Sequence, residues 1–516
     1  ILLAILVIAS TLRIYNLDKV PPALFGDEVD VGYQAYSLLK TGRDLYGNSW
    51  PTLLHSLSEY RAPLFIYADI PFIAIFGLNE WGVRLPAALF GVFGIFGVFL
   101  LTRVLFNERI GLLAAGFLTI SPWHIQYSRA GFEVTMLLTS LIFATYFFIK
   151  GLENRYYLVI SAILFGLTPY IYSTAIAFMP LLILLLLIIF RKNLLLDSRI
   201  LITSFLLLVI ILLPYGLQTI SGKSGGRFGV ISVFTNQHVI DKVLLAQQYE
   251  SQPSSLARLF HNKPIAFVEQ ISMNYLRSFS PEFLFLRGDP NARHSVGEMG
   301  EMYYFEIILL LLGLWWILTR TGTGRGKWVV LGWLLIASFP AALTYDGGFH
   351  ATRSFLMLPP LMIILGLGVN YLLENLKNIR IKYLTAFVLI LVIFNVVFYF
   401  HRYFVHYPTE KWRAWHYGFK EAMQYVAANE LSYDRILINN TYEPSLIRFL
   451  FWTKYDPNLF HHQFNLDQTT KNITAGFDGF SLEGKYFFGK VNGPYEQIIN
   501  SKTLYLASAR DDITNQ

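Results

Sequence analysis

Apolar runs long enough to cross a bilayer, about 20 residues, fall near 1–15, 82–106, 132–150, 172–190, 199–218, 303–319, 327–344, 354–373 and 382–401. Two shorter runs, 110–121 and 156–170, cross only with help from their neighbours, which brings the count to about eleven spans. Alternate connections are short and basic: Arg103–Arg109, Lys150–Arg155, Arg191–Lys192–Arg199, Arg320–Arg325–Lys327 and Lys377–Arg380–Lys382. The positive-inside rule puts all five on the cytoplasmic side, and this span count places them there together. The run Leu64–Phe76, interrupted by Pro71, is short for a span and reads as a helix in the interface. Counted as a span, it would move every later basic loop outside. From about 405 the apolar runs shorten. Trp415–Ala428 reads as an amphipathic helix, and Arg435–Asn439, Lys485–Lys490 and Thr503–Ser508 read as strands. The pattern predicts an α-helical polytopic membrane protein over residues 1–404, with external juxtamembrane helices, followed by a small extracytoplasmic α/β domain over 405–516.

Composition agrees with this reading. Hydrophobic residues make up 54% of the 516 and charged residues 15%, against about 25% charged in soluble chains. Zero cysteines exclude a disulfide framework, thiolate metal sites and a cysteine nucleophile. The net charge of +7 is accounted for by the basic loops and calls for no nucleic-acid partner. The chain opens ILLAILVIAS, with no Met and no basic n-region, so this run reads as the remainder of a transmembrane helix rather than a cleaved signal. No internal repeat or low-complexity tract is visible.

The charges outside the basic loops need another reason. They lie in a long first loop (16–81), a turn (122–131), a second long loop (219–302), a short loop (344–353) and the C-terminal domain. Phe25-Gly26-Asp27-Glu28-Val29-Asp30 puts three carboxylates in four residues before a helical stretch, Val31–Lys40. Asp27 is placed to cap that helix. A cap needs one acid, however, and an adjacent pair can divide labour, one capping and one pointing into a site. A carboxylate against apolar walls suits general-base work on a hydroxyl. Asp44, in the turn Gly42-Arg43-Asp44-Leu45-Tyr46-Gly47, and Tyr60 and Arg61, in Glu59-Tyr60-Arg61-Ala62-Pro63, are candidates to line such a site.

Arg129 and Glu133 are spaced as an i,i+4 ion pair. Such a pair contributes only about 0.3–0.5 kcal/mol, whereas ionisable groups at a membrane boundary are functional candidates. Arg293 and His294, in Gly288-Asp289-Pro290-Asn291-Ala292-Arg293-His294-Ser295, and His350 and Arg353 at the start of a span suit capture of an anion. Cations in a first helical turn oppose the macrodipole but favour a bound phosphate, at which backbone N–H groups point. Phospholipid headgroup contact is the plainer reading of each cation. Acids and cations from four separate loops nevertheless predict one converged site.

These residues, in this order, resemble the bacterial glycosyltransferases related to protein O-mannosyltransferases and the lipid A aminoarabinose transferase (glycosyltransferase families 39 and 83, GT-C fold). The resemblance rests on the Asp27-Glu28 pair, Gly42-Arg43-Asp44 with Tyr46-Gly47, and Arg84-Leu85-Pro86. Ser121-Pro122-Trp123-His124…Arg129…Glu133, Gly288–Ser295, His350…Arg353 and Trp412-Arg413…Tyr417-Gly418-Phe419-Lys420 continue it. It implies an enzyme that moves a sugar from a polyprenyl-phosphate donor to a lipid, protein or polysaccharide acceptor on the external face of the cell membrane. Asp27 then matches the catalytic carboxylate, with Glu28 beside it, and Glu133 falls near a second acid of the family's site. Arg129, Arg293, His294, His350 and Arg353 become candidates for the donor phosphate. The residues themselves call for no cofactor. The aminoarabinose enzyme has been associated with a structural metal, which Glu59 or Glu133 with His350 would imitate.

Two rival readings are a transporter and a glycan polymerase or ligase of the cell envelope. A transporter places its charges near the bilayer midplane and shows repeated halves. Here the unusual charges sit at helix ends. A polymerase shares the many-span plan and differs in needing a wider acceptor groove.

Overall fold

A computed structural model describes residues 1–56, 60–194, 198–221, 226–249, 255–320, 324–463, 471–474, 477–491 and 498–508. Helices dominate as far as residue 410. They begin with α1 (Leu2–Ile14), α2 (Gly26–Thr41), α3 (Pro63–Phe76), α4 (Glu80–Leu105) and α5 (Glu108–Ile120). They continue with α6 (Pro122–Ser128), α7 (Glu133–Lys150), α8 (Tyr156–Leu167), α9 (Ala175–Leu194) and α10 (Ser198–Ile220). Among the described residues, six helices are long and apolar enough to cross a membrane: Glu80–Leu105, Glu133–Lys150, Ala175–Leu194, Arg199–Ile220, Ala351–Glu374 and Ile379–Glu410. The five other expected spans fall on shorter helices: Leu2–Ile14, Glu108–Ile120, Tyr156–Tyr170, Glu306–Thr319 and Gly326–Ala342. The run 63–76 is a 14-residue helix, as its length suggests, packed against α2 and α4.

The α4–α7 pair is held close by small residues. A Cβ at Gly94 or Gly97 would come within 3 Å of Thr139 or Ile142 of α7, and one at Gly91 would meet Ser128 of α6, so only glycine admits this approach. Thr139 Oγ1 donates across the seam to the Phe90 carbonyl at 2.8 Å. The five basic connections share one end of the bundle. Arg155 donates to the Asn193 carbonyl, Arg325 to the Asn193 side chain and Arg320 to Glu374, while Gly326 abuts the Leu105 carbonyl. The loops expected outside gather at the other end. Burial tracks these positions: Ile390, Ile393, Phe394, Val397 and Phe398 stay exposed along 379–401, an apolar face suited to lipid.

After residue 410 come a helix at Phe419–Asn429, β3 (Arg435–Asn439), helices Leu446–Trp452 and Pro457–Gln463, then β4 (Lys471–Thr474), β5 (Phe477–Leu482), β6 (Tyr486–Val491) and β7 (Thr503–Leu506). The sheet order is β4-β5-β6-β3-β7, with β3 parallel to both β6 and β7 and the other pairs antiparallel. The three predicted strands are β3, β6 and β7. One hydrophobic cluster joins this region to the membrane part. It runs from Val29, Tyr33 and Leu38 of α2 through Leu446 and Leu450 to Ile436 and Phe488 of the sheet.

Candidate functional site: a clamped arginine and an aspartate–histidine cluster

The first loop, expected to begin with Asp27 as a helix cap, is arranged otherwise. Phe25 occupies the N-cap position of α2, and its N–H donates to Glu28 Oε2 at 3.2 Å. Glu28 is the acid that turns inward. Its carboxylate accepts Arg84 Nε at 2.8 Å, Arg84 Nη2 at 3.1 Å and the Gly131 N–H at 2.9 Å, with both side chains fully buried. The remaining Arg84 donors go to the carbonyls of Leu17, Pro21 and Ala23. Glu28 therefore ties α2, α4 and the start of α7 together and presents no free edge to a substrate.

Asp27 points the other way, toward Arg61. Short antiparallel strands, β1 (Leu54–His55) and β2 (Tyr60–Arg61), bring Arg61 over the first turn of α2. Its guanidinium meets Asp27 at 2.6 Å, Asp30 at 2.8 Å and Glu133 at 3.4 Å. Arg61 and Asp30 are buried and Glu133 nearly so, whereas the Asp27 side chain is 53% exposed. Of these three acids, Asp27 is the one most open to solvent. A cleft next to it in the cluster is lined by Arg61, Tyr60, Tyr172 and Tyr215, with Glu133 the acid in its wall. Asp69 of α3 is a further acid here, fully buried, with neither oxygen hydrogen-bonded among the described residues.

The Arg129–Glu133 ion pair does not form, because the chain leaves the helix between them. Arg129 ends α6, and α7 begins only at Glu133 after the N-cap Phe132. Arg129 is buried, donates to the carbonyls of Leu12, Asn16 and Val20, and lies against the Phe404 ring. Its two terminal nitrogens are thus taken up by the last turn of α1 and the segment that follows it. Asp44 is likewise turned into its own loop, where it accepts the Tyr46 and Asn48 N–H groups.

The remaining cations lie in a second cluster. Asp289 Oδ2 is 2.9 Å from His294 Nδ1 and 4.0 Å from His350 Nδ1, and it accepts the Ala351 N–H at 2.8 Å. The helix start expected to greet a phosphate therefore already faces a protein carboxylate. Burial alone would raise the Asp289 carboxyl, but the His294 hydrogen bond and the two histidines hold it below the ordinary carboxylate range. Burial and the neighbouring Asp289 push Glu301 well above that range. Arg353 pairs with Asp346 and Thr344. Arg293 has no carboxylate partner among the described residues, and its guanidinium lies 5.0 Å from the Phe25 ring centroid, two residues before Asp27.

The C-terminal region adds a group the sequence reading missed. Arg448 is buried, with Nη2 2.7 Å from His416 Nδ1 and 3.5 Å from Glu443, and the same nitrogen abuts Gly26. The available signal was a lone arginine inside the apolar run Leu446–Trp452. The His416 hydrogen bond outweighs burial and, with the charges of His416 and Arg448, holds Glu443 below the usual carboxylate range.

Residues 60–216 match the family described as dolichyl-phosphate-mannose-protein mannosyltransferase. No curated protein sequence matches the chain. Among solved structures, the fold is similar to the oligosaccharyltransferase AglB from Archaeoglobus fulgidus, solved in complex with an inhibitory peptide and a dolichol-phosphate. The TM-score is 0.52 at 15% identity, covering 88% of this chain and 62% of that one. It is equally similar to ArnT from Cupriavidus metallidurans bound to undecaprenyl phosphate, with a TM-score of 0.52 at 13% identity, covering 89% and 87%. The chain spans less than two thirds of AglB's length, and at these identities the likeness carries the fold alone. The protein is accordingly a multi-pass membrane protein whose fold is GT-C-like by its similarity to these structures, and its residues 60–216 bear the likeness to the mannosyltransferase family.

Proposed function

We propose that the chain is a membrane glycosyltransferase that takes a sugar from a polyprenyl-phosphate donor and passes it to a hydroxyl acceptor on the external face. The observation that carries this reading is the half-exposed Asp27 held by the buried Arg61, which also meets Asp30 and Glu133 and lines a cleft with Glu133. In the reaction, Asp27 takes the acceptor's hydroxyl proton while the acceptor oxygen bonds to the anomeric carbon. The bond from that carbon to the donor phosphate breaks, and the leaving polyprenyl phosphate carries the negative charge away. Attack and departure on opposite faces invert the centre.

Arg61 and Glu133 position the base, so the orientation it needs is prepared before substrate arrives. Arg293, which has no carboxylate partner among the described residues and lies against the Phe25 ring, stabilises charge on the departing phosphate. The family match over 60–216 supports a lipid-phosphate sugar donor, since that region supplies Arg61, Glu133 and Tyr172. The neighbours solved with undecaprenyl phosphate and dolichol-phosphate support the same donor class. The acceptor is a lipid, a protein or an envelope polysaccharide. Asp27→Asn is expected to abolish transfer from a polyprenyl-phosphate sugar while membrane insertion and thermal stability persist. Full residual activity in that variant overturns the reading.

A further inference from the structure

Asp289, His294 and His350 form a group separate from the acids around Arg61. One ligand atom from each lies within 4.8 Å of the others. Their two segments are far apart in sequence and locked in place. Gly288 turns the chain at φ +71°, where an added Cβ would meet Ser295 and Glu301 within 3 Å. The N–H groups of Asn291 and Arg293 then fold back onto Asp289 and Asn291. This turn brings Asp289 and His294 onto one face of the loop. His350 is delivered by the residue after it, since the Ala351 N–H holds the same Asp289 oxygen. The two imidazole rings are 5.2 Å apart, and His294 packs against Tyr127 and Phe132.

We propose that these three residues bind a divalent transition metal of the zinc class. Two imidazole nitrogens and one carboxylate oxygen make an N/O donor set that such ions prefer, with a remaining position open. Ligand distances near 2.0–2.2 Å put donor atoms about 3.4 Å apart in a tetrahedron. His294 Nδ1 moves out by roughly half an ångström from its present 2.9 Å and His350 Nδ1 moves in from 4.0 Å, both within side-chain reach. Each histidine side chain is 14–15% exposed, which leaves a path for the ion and for a fourth ligand. A second buried acid, Glu301, accepts the Asp289 N–H at 2.9 Å and so fixes the backbone that carries the carboxylate ligand. The bound ion clamps the 287–302 loop to the helix that starts at Ala351, and thereby holds Arg293 toward Phe25. Glu133 belongs to the acids around Arg61 rather than to this site, Glu59 lies outside the described residues, and the metal assignment does not depend on the transfer reaction.

The test uses the full chain purified in detergent, stripped with chelator and reloaded with Zn²⁺ alone. The expected result is about one ion per chain by elemental analysis, with affinity reduced at least tenfold in His294→Ala and in His350→Ala, and retained in Glu133→Gln. Should the alanine variants fail to fold, Co²⁺ loaded into the wild-type chain gives a visible absorption spectrum that reports nitrogen ligation directly. Failure of the wild type to retain Zn²⁺, wild-type affinity in both histidine variants, or a Co²⁺ spectrum without nitrogen ligands overturns the proposal. Loss of the ion in Glu133→Gln also overturns it, by moving the metal to the acids around Arg61.

Discussion

Glu28 and Asp27 are adjacent in sequence and opposite in circumstance. Glu28 is sealed against Arg84, so removing the arginine leaves a buried carboxylate without its counter-charge. Arg84→Ala is therefore expected to destabilise the protein by about 3–5 kcal/mol, read as a lowered unfolding temperature in detergent. Asp69 presents the reverse case. Its carboxyl group is buried without a hydrogen bond, and such a group costs about 1–3 kcal/mol. Asp69→Leu should raise the unfolding temperature; a fall would show that the carboxyl group is engaged by something bound. At the donor end, Arg293→Ala should raise the KM for the polyprenyl-phosphate sugar more than Arg353→Ala does, because Arg353 already has Asp346 as a partner. Equal effects in steady-state assays would contradict the separate place given to Arg293.

Elements show which of these residues could be recognised in the chain alone. Apolar runs mark the long helices, and alternation marks β3, β6 and β7, because bilayer thickness and the pleat impose their own periods. The division of labour between Asp27 and Glu28 is also legible, although Phe25 rather than Asp27 takes the cap. The fate of an arginine is not legible. Arg129 and Arg293 look alike as cations near a helix end, yet one is consumed by carbonyls more than a hundred residues earlier. That difference depends on the break between α6 and α7, a local turn that no periodicity marks. Arg448 was hidden for the same reason, since Gly26 approaches it across more than four hundred residues. Asp289 competes for the helix start at Ala351 in a way that spacing cannot disclose.

Across the whole molecule, charge is segregated by end. The basic connections meet at one end, and the acid and histidine clusters occupy the other. Because the chain has no cysteine, single introduced thiols report sidedness without background. Leu431, 93% exposed in the C-terminal region, and Glu153, whose side chain is 69% exposed among the basic loops, are suitable positions. In intact cells a membrane-impermeant maleimide should label Leu431→Cys, and should label Glu153→Cys only after permeabilisation. The opposite pattern would invert the proposed topology.

The hydrophobic cluster that joins α2 to the sheet has a consequence in time. Residues 26–41 leave the ribosome more than four hundred residues before Leu446, Leu450 and Phe488, which cover their apolar face. Throughout synthesis that face must wait uncovered or be shielded by something else. The helix bearing Asp27 then acquires its final seat only when residues 446–488 arrive. A chain stopped after residue 404 should insert in the membrane yet be cut by protease within 26–41 and transfer no sugar. The order of synthesis would thus withhold the proposed transfer activity until residues 446–488 are in place.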